Sequence, residues 1–546
     1  MSSASLLSQL TERVQAVTGI DPQMRPATKP QFGHFQSNVA MRLAKSEGRP
    51  PREVAASLVE KLQIDDLCEP LEIAGPGFIN FRMKESVLAA TADALLQDPA
   101  VGLTPDPEPR RVVIDYSAPN VAKQMHVGHL RTTIIGDCFN RVLTAMGHTV
   151  IPQNHIGDWG TPFGMLIEQI LDEGLDASTL DLASADALYK RAASHFKEDE
   201  EFATRARARV ALFQGGDEQS LAIWRQLVEV SKTGFNDAYR RLGVLLTDDD
   251  LAGESTYNDD LPILVKELEE SGVAVMDDGA LCVFVDGFDA PLIVRKRDGG
   301  YGYATTDLAA VRRRVRELEA DRIIYVTDLR QAGHFGQVFG ASRKAGYLPD
   351  SVQAQHVGYG MVLGDDGRPL KSRDGSAAKL SDLLDLAEEN AAPAIALAAI
   401  KYADLSSGLQ KDYTFDPARM TQTVGDTGPY LQYAHARCCQ ILRKAEAEQL
   451  AVGPISVLAE PGEHQLALVL SRFNEVVHEV AEALTPHKLC TYLLELAGTF
   501  ASFYEQCPVL KSEGDVQASR LGLCRATQQV LAKGLYLLGI EAPERM

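Results

Sequence analysis

A multidomain α/β protein is what this sequence predicts: a parallel-sheet domain with a helical insertion, an α+β domain before it and an all-α domain after it. Three observations carry that reading. A β-branched run, a long helical pattern and a second β-branched run follow one another between Arg111 and Ile151, the order of a βαβ unit. A charged, mostly helical stretch from Glu168 to Gly243 then separates this unit from later strand patterns. From Leu380 onward nearly every segment has apolar residues at helical spacing.

In chain order, Ser5–Val17 and Val54–Leu62 have helical periodicity, and Pro70–Phe81 alternates like a strand around a turn at Gly75-Pro76-Gly77. Leu103–Pro109 holds three prolines in seven residues, which reads as a linker. Arg111–Ser117 is a buried-strand pattern. His126–Met146 lines up Leu130, Ile134, Cys138, Val142 and Ala145 on one helical face, with Gly147 as its C-cap and His148–Ile151 as the next strand. Strand patterns return at Gly272–Val285, Pro291–Arg295, Arg322–Thr327 and Ala354–Gly358. They are expected to resume the parallel sheet. The expected domains are 1–106, 107–380 with an insertion around 170–290, and 381–546.

Composition narrows the class. The 546 residues are 45% hydrophobic and 24% charged, ordinary for a soluble globular chain. No run is long and apolar enough to cross a bilayer. The N-terminus lacks a basic region followed by an apolar one, so the cytoplasm is the expected compartment. The eight cysteines include no CxxC pair; buried reduced thiols are expected, and neither a disulfide framework nor a tightly bound metal. The net charge of −21 argues against broad phosphate binding, and from Gly425 to the end 10 Lys and Arg face 14 Asp and Glu. Composition alone does not suggest RNA.

The chemistry concentrates in Asp115-Tyr-Ser-Ala-Pro-Asn-Val-Ala-Lys-Gln-Met-His-Val-Gly-His129. Its end, His126 to His129, follows a strand and opens a helix. Unpaired backbone N–H groups and the positive end of the helix dipole meet there, so the position attracts phosphate. Two imidazoles three residues apart can point at one phosphate, and Gly128 lets a nucleotide approach the backbone. Attack of a carboxylate on the α-phosphate of ATP suits such donors, because positioning and electrostatic stabilisation do most of the work. Two histidines at a helix start also occur in metal sites or on plain surfaces. A metal is disfavoured here because no third ligand lies at local spacing.

Longer strings extend the pattern: SAPNVAKQMHVGHLRTTIIGD (Ser117 to Asp137), QNHIGDWGTPFGMLI (Gln153 to Ile167), HVGYGMVLG (His356 to Gly364), DTGPYLQYAHAR (Asp426 to Arg437) and ELAGTFASFYEQCPVL (Glu495 to Leu510), with GIEAPERM at the end. The four residues at 126–129 resemble the HIGH signature of class I aminoacyl-tRNA synthetases, and the longer strings resemble the arginyl-tRNA synthetases. The resemblance runs nearly end to end. It implies a Rossmann-type catalytic domain between a domain that touches the tRNA elbow and a helical anticodon-binding domain. It also implies ATP with Mg2+, L-arginine and tRNA(Arg) as partners, no membrane, a monomer, and arginine activation that needs tRNA.

Residue roles follow from the resemblance. His126 and His129 would stabilise the ATP phosphates beside Gly128, with Gly358 and Met361 near adenine. Asp115, Ser117 and Asn120 would lie along bound arginine, and Gln331 would shape its pocket. Tyr303 and Asp307 match a YxxxD element whose Asp pairs with the guanidinium, a planar fork that asks for a carboxylate. Asp307 as a helix N-cap and Tyr303 as core are the plainer alternatives. The second class I signature, KMSKS, is poorly formed at Pro369–Gly375. Lys123, with Lys371 and Arg373, is expected to supply the missing charge, unless the last two are solvated loop residues. Phe78 and Asn80 would contact a tRNA loop base, although Phe78 could be core; Tyr504 and Met546 are candidate anticodon contacts. The rival functions are a ligase that passes arginine to another acceptor, a catalytically dead RNA-binding protein, and a small nucleotidyltransferase. The chain is too long for the last.

Overall fold

The computed structural model describes residues 5–27, 29–371 and 378–546. The first domain is a four-stranded antiparallel sheet in the order β1 (Arg25–Pro26), β2 (Phe35–Ser37), β4 (Phe78–Phe81), β3 (Glu72–Ala74). Helices Leu6–Thr18, Val39–Glu47 and Pro51–Lys61 accompany it. The β3–β4 turn needs Gly77: its φ is 147° and a Cβ there would lie 2.9 Å from the Pro51 carbonyl oxygen.

The proline-rich stretch is tied down rather than free. The Thr104 N–H donates to Asn474 Oδ1 at 2.9 Å, and the Asp106 N–H donates to the Met146 carbonyl at 2.8 Å. Just before it, helix Glu85–Gln97 packs on helices Pro461–Leu470 and Gly514–Leu537. The beginning of the chain thus rests on its end.

The central sheet is parallel. It comprises β5 (Arg111–Asp115), β6 (Thr149–Gln153), β10 (Arg322–Asp328) and β11 (Gln353–Tyr359), in the order β11-β10-β5-β6. Helix Val127–Ala145 connects β5 to β6, and helix Ala332–Lys344 connects β10 to β11. The chain leaves β5 to one side and β10 to the other. Their carboxyl ends therefore flank a topological switch point, where open α/β sheets bind ligands.

The strands at 272–295 depart from expectation. β7 (Val275–Asp277), β8 (Ala280–Val283) and β9 (Leu292–Arg295) form their own three-stranded antiparallel sheet, and the parallel sheet resumes only at β10. The reason is the turn between β7 and β8. Asp278 and Gly279 both have positive φ, 46° and 79°, a tight hairpin that cannot make the long crossover a parallel pair requires. Ahead of this sheet, helices Thr161–Glu173, Leu182–Glu198, Glu200–Gln214 and Glu218–Leu242 form the insertion, with Trp159 against Phe213 and Trp224.

Beyond Leu380 the chain is helical except for β13 (Tyr413–Thr414), which pairs in parallel with β12 (Val362–Leu363). Arg131 fastens this region to the central sheet. Its Nε donates to buried Asp404 at 2.8 Å and its Nη1 to the Gly360 carbonyl at 2.8 Å. Removing one partner of such a buried pair costs about 3–5 kcal/mol, because the other charge is left uncompensated. All eight cysteines are buried free thiols.

Candidate functional site

A cleft of about 850 Å³ opens at the carboxyl ends of β5 and β10. Asp115, Ser117, Asn120, His126, Gly128, His129, Tyr303, Asp307, Gln331, Met361 and Lys371 all line it. Residues more than 200 positions apart in sequence are thus brought together.

The histidine end is built by the helix start itself. His126 is the N-cap of helix Val127–Ala145, and it forms a reciprocal capping box with His129. The Gly128 N–H donates to His126 Nδ1 at 3.1 Å, and the His126 N–H donates to His129 Nδ1 at 3.0 Å. Each Nδ1 is thereby an acceptor, so each neutral ring carries its proton on Nε2. Burial lowers the pKa of both rings, with nearby Lys123 adding to the effect; for His129 burial and His126 push it to about 3. The rings lie 3.9 Å apart, tilted by 36°. The result is a pair of neutral N–H donors at the positive end of a helix. Gly128 has a second role: a Cβ there would come within 2.9 Å of the His126 ring. Gly358 sits behind the wall, where a Cβ would meet Leu329 at 2.7 Å, and Tyr359, Gly360 and Met361 face the cleft instead.

The acid end has two carboxylates with different partners. Asp115 Oδ2 accepts from Arg314 Nη2 at 2.6 Å, deep in the protein. Asp307 Oδ2 is 2.6 Å from His334 Nε2. Asp307 lies inside helix Tyr303–Arg316, whose N-cap is Gly302, so it is not a capping residue. Tyr303 is 71% exposed and meets His334 edge-on at 4.9 Å, so it is not core. Ser117 is buried with φ 73°, its Oγ 2.7 Å from the Tyr239 hydroxyl; a non-glycine residue in this region stores strain.

The cationic candidates are less organised. Lys371 reaches the rim of the cleft. Lys123 Nζ lies 4.1 Å over the ring of Tyr189, on the insertion helix Leu182–Glu198. Arg373 lies outside the described residues. Among the described residues no cluster of three or more His, Cys, Asp or Glu is disposed to hold a metal.

Sequence reading missed Arg314, His334, His155 and Glu254. The last two also line the cleft, and burial pushes the Glu254 carboxyl up to about 7, against the influence of His155. His334 stood three residues from Gln331 and was findable; Arg314 and Glu254 carried no local signal. Far from the cleft, Asn80 is buried and its Oδ1 accepts from Gln36 Nε2 at 2.7 Å. Phe78 is half-buried on β4. Tyr504 lies under the Arg437 guanidinium, 4.8 Å away, and Met546 is exposed.

The chain is similar to known proteins along its whole length. Residues 91–396 match the family model for the catalytic domain of class I (R) tRNA synthetases. Residues 4–83 match the arginyl tRNA synthetase N-terminal domain and 431–546 the DALR anticodon-binding domain. The chain is 65% identical to the arginine–tRNA ligase of Cutibacterium acnes over 100% of both chains. It is 49% identical to that of Thermobifida fusca, over 98% of this chain and 99% of the relative. Solved structures of the arginyl-tRNA synthetases of Plasmodium falciparum and Thermus thermophilus each superpose with a TM-score of 0.83, at 27% and 26% identity. They cover 100% and 99% of this chain, and all of their own. Among the described residues no helix is long and apolar enough to cross a membrane.

Proposed function

Because the chain belongs to the arginyl-tRNA synthetase family, we propose that the cleft divides the work of arginine activation between its histidine end and its acid end. The reaction is that of an arginine–tRNA ligase. An oxygen of the arginine carboxylate bonds to the α-phosphorus of ATP, the bond to the bridging oxygen breaks, and pyrophosphate leaves. The 3′ hydroxyl end of tRNA(Arg) then takes arginine from the adenylate and AMP leaves.

The observation that carries the division is the capping box. It turns both Nε2–H groups of His126 and His129 into preset donors where phosphate charge develops, so no reorganisation is needed at the moment of reaction. Gly128 keeps the rings in place, and Met361 borders the adenine end with Gly358 behind it. Lys371 at the rim, with Lys123 and Arg373, meets the outer phosphates, and ATP enters as its Mg2+ complex. At the acid end Asp307, with Tyr303 and Gln331, holds the guanidinium. Asp115, Ser117 and Asn120 hold the amino-acid end. A tRNA loop base is met by Phe78 and the Gln36–Asn80 pair, and the anticodon region by Tyr504 and Met546. The working protein is a cytoplasmic monomer. A ligase that transfers arginine to some other acceptor has no use for an anticodon-binding domain, and this chain has one.

Pyrophosphate exchange with arginine and ATP, run with and without tRNA, tests the assignment. Asp307→Asn is expected to raise the arginine KM roughly tenfold or more, and to leave the ATP KM within about twofold, since the guanidinium loses its countercharge. Equal effects on both substrates remove Asp307 from the arginine pocket.

A further inference from the structure

ATP has to be held at two ends that belong to different parts of the chain. The histidine pair opens helix Val127–Ala145, and Met361, at the proposed adenine end, lies in the short link between β11 and β12. The span between the two ends is set by whatever joins that link to that helix.

The join is a single peptide. Arg131, on the helix that the histidines open, donates from Nη1 to the Gly360 carbonyl at 2.8 Å. The N–H of the same peptide, on Met361, donates to Asp412 Oδ1 at 2.6 Å. One peptide plane is thus gripped at both edges, by a cation at its oxygen and an anion at its hydrogen. Gly360 makes room for the grip: a Cβ there would lie 2.6 Å from Asp412 Oδ1. Arg131 is itself fixed. It is buried and paired with Asp404, its guanidinium carbon lies 5.5 and 5.2 Å from the ring centres of Tyr359 and Tyr413, and it also donates to the Lys411 carbonyl at 3.3 Å.

The neighbouring bonds ask for no particular side chain. The Gly360 N–H donates to the Leu409 carbonyl at 2.9 Å, the Tyr413 N–H to the Met361 carbonyl at 3.1 Å and the Phe415 N–H to the Leu363 carbonyl at 2.9 Å. Backbone alone therefore holds the link and β12 against the segment 409–415. Asp412 is different. It is exposed, and so is Met361. Water can satisfy an exposed N–H, so the donor by itself does not call for a carboxylate. Water cannot hold a peptide in one direction next to a glycine, which resists rotation so little; a charge-assisted bond can. We propose that Asp412 is a positioning residue for ATP: with Arg131 it locks the 360–361 peptide and so holds Met361 at a fixed distance from His126 and His129. The segment that leads toward the anticodon-binding domain thereby completes the nucleotide site. This rests on the reading of Met361 given above.

Pyrophosphate exchange with tRNA present tests it. Asp412→Ala should raise the ATP KM about fivefold or more, because displacing a positioned group by a fraction of an ångström is costly. The arginine and pyrophosphate KM values should stay within about twofold, since neither ligand reaches the adenine end. Asp412→Asn keeps an oxygen for the Met361 N–H and should stay within about twofold of wild type in all three. An unchanged ATP KM in Asp412→Ala, an equal rise for all three ligands, or an Asp412→Asn no better than Asp412→Ala overturns the proposal. If Asp412→Ala does not fold, Asp412→Ser serves instead: its hydroxyl stops short of the Met361 N–H, and the same selective rise in ATP KM is expected or the proposal falls. Met361→Ala separates the two readings. An unchanged ATP KM there sinks the adenine-end assignment itself, whereas a raised one beside a failed Asp412 test sinks only this inference.

Discussion

The two sides of the proposed phosphate-binding region are built on opposite plans. On the histidine side every group is held by its neighbours in sequence: His126 by Gly128, His129 by His126, all within the first turn of one helix. On the cationic side Lys371 stands exposed at the rim, and Lys123 rests over Tyr189 of the insertion. The difference teaches that neutral donors can be set in advance by backbone hydrogen bonds. Long flexible cations depend on distant surfaces to place them.

The largest effect should fall on the preset side. His129→Ala is expected to slow adenylate formation by roughly a hundredfold or more, the usual cost of losing a preset donor; a pyrophosphate-exchange rate within a few-fold of wild type breaks the comparison. Next comes Gly128→Ala. Its Cβ would press on the His126 ring at 2.9 Å, and a small displacement of a positioned group costs about tenfold in rate or more. Thermal melting should show little change while kcat drops. Smaller again are Lys371→Ala and Lys123→Ala, each expected to lower exchange only several-fold, by roughly 1 kcal/mol for a partly solvated charge. A loss as large as that of His129→Ala would show the cationic side to be equally preset.

The smallest effect is on pH. With the His129 pKa pushed down to about 3, that ring stays neutral from pH 5 to 8, so it should contribute no acid limb to the rate profile. The sign for stability is the reverse of a salt-bridged histidine. The folded ring refuses a proton that the unfolded one takes up near its ordinary value of 6.5, so stability falls as pH drops from there toward 3. In His129→Ala that part of the slope disappears from denaturant titrations.

Much of the fold is legible in local sequence patterns. The helix expected at His126–Met146 is observed at Val127–Ala145, and the two strands around it lie where the β-branched runs stand. The hairpin around Gly75-Pro76-Gly77 and the all-helical end are likewise local patterns. Sequence patterns fall short where pairing is at stake. In Gly272–Arg295 only the Asp278-Gly279 pair, a hairpin signature, points to a separate antiparallel sheet rather than the resumed parallel one, and its positive φ decides for the hairpin. Local sequence likewise does not show that the Asn80 oxygen accepts from Gln36, 44 residues earlier.

By itself the sequence determined the family, the order of elements and the histidine pair, because those depend on hydrogen bonds and apolar faces repeating within a few residues. Tertiary structure alone decided which partner each acid received: Arg314 for Asp115 across 199 residues, and His334 for Asp307 across 27. The physical reason is that charge pairs act through space in a medium of low dielectric. Chain separation says nothing about which two groups will share it.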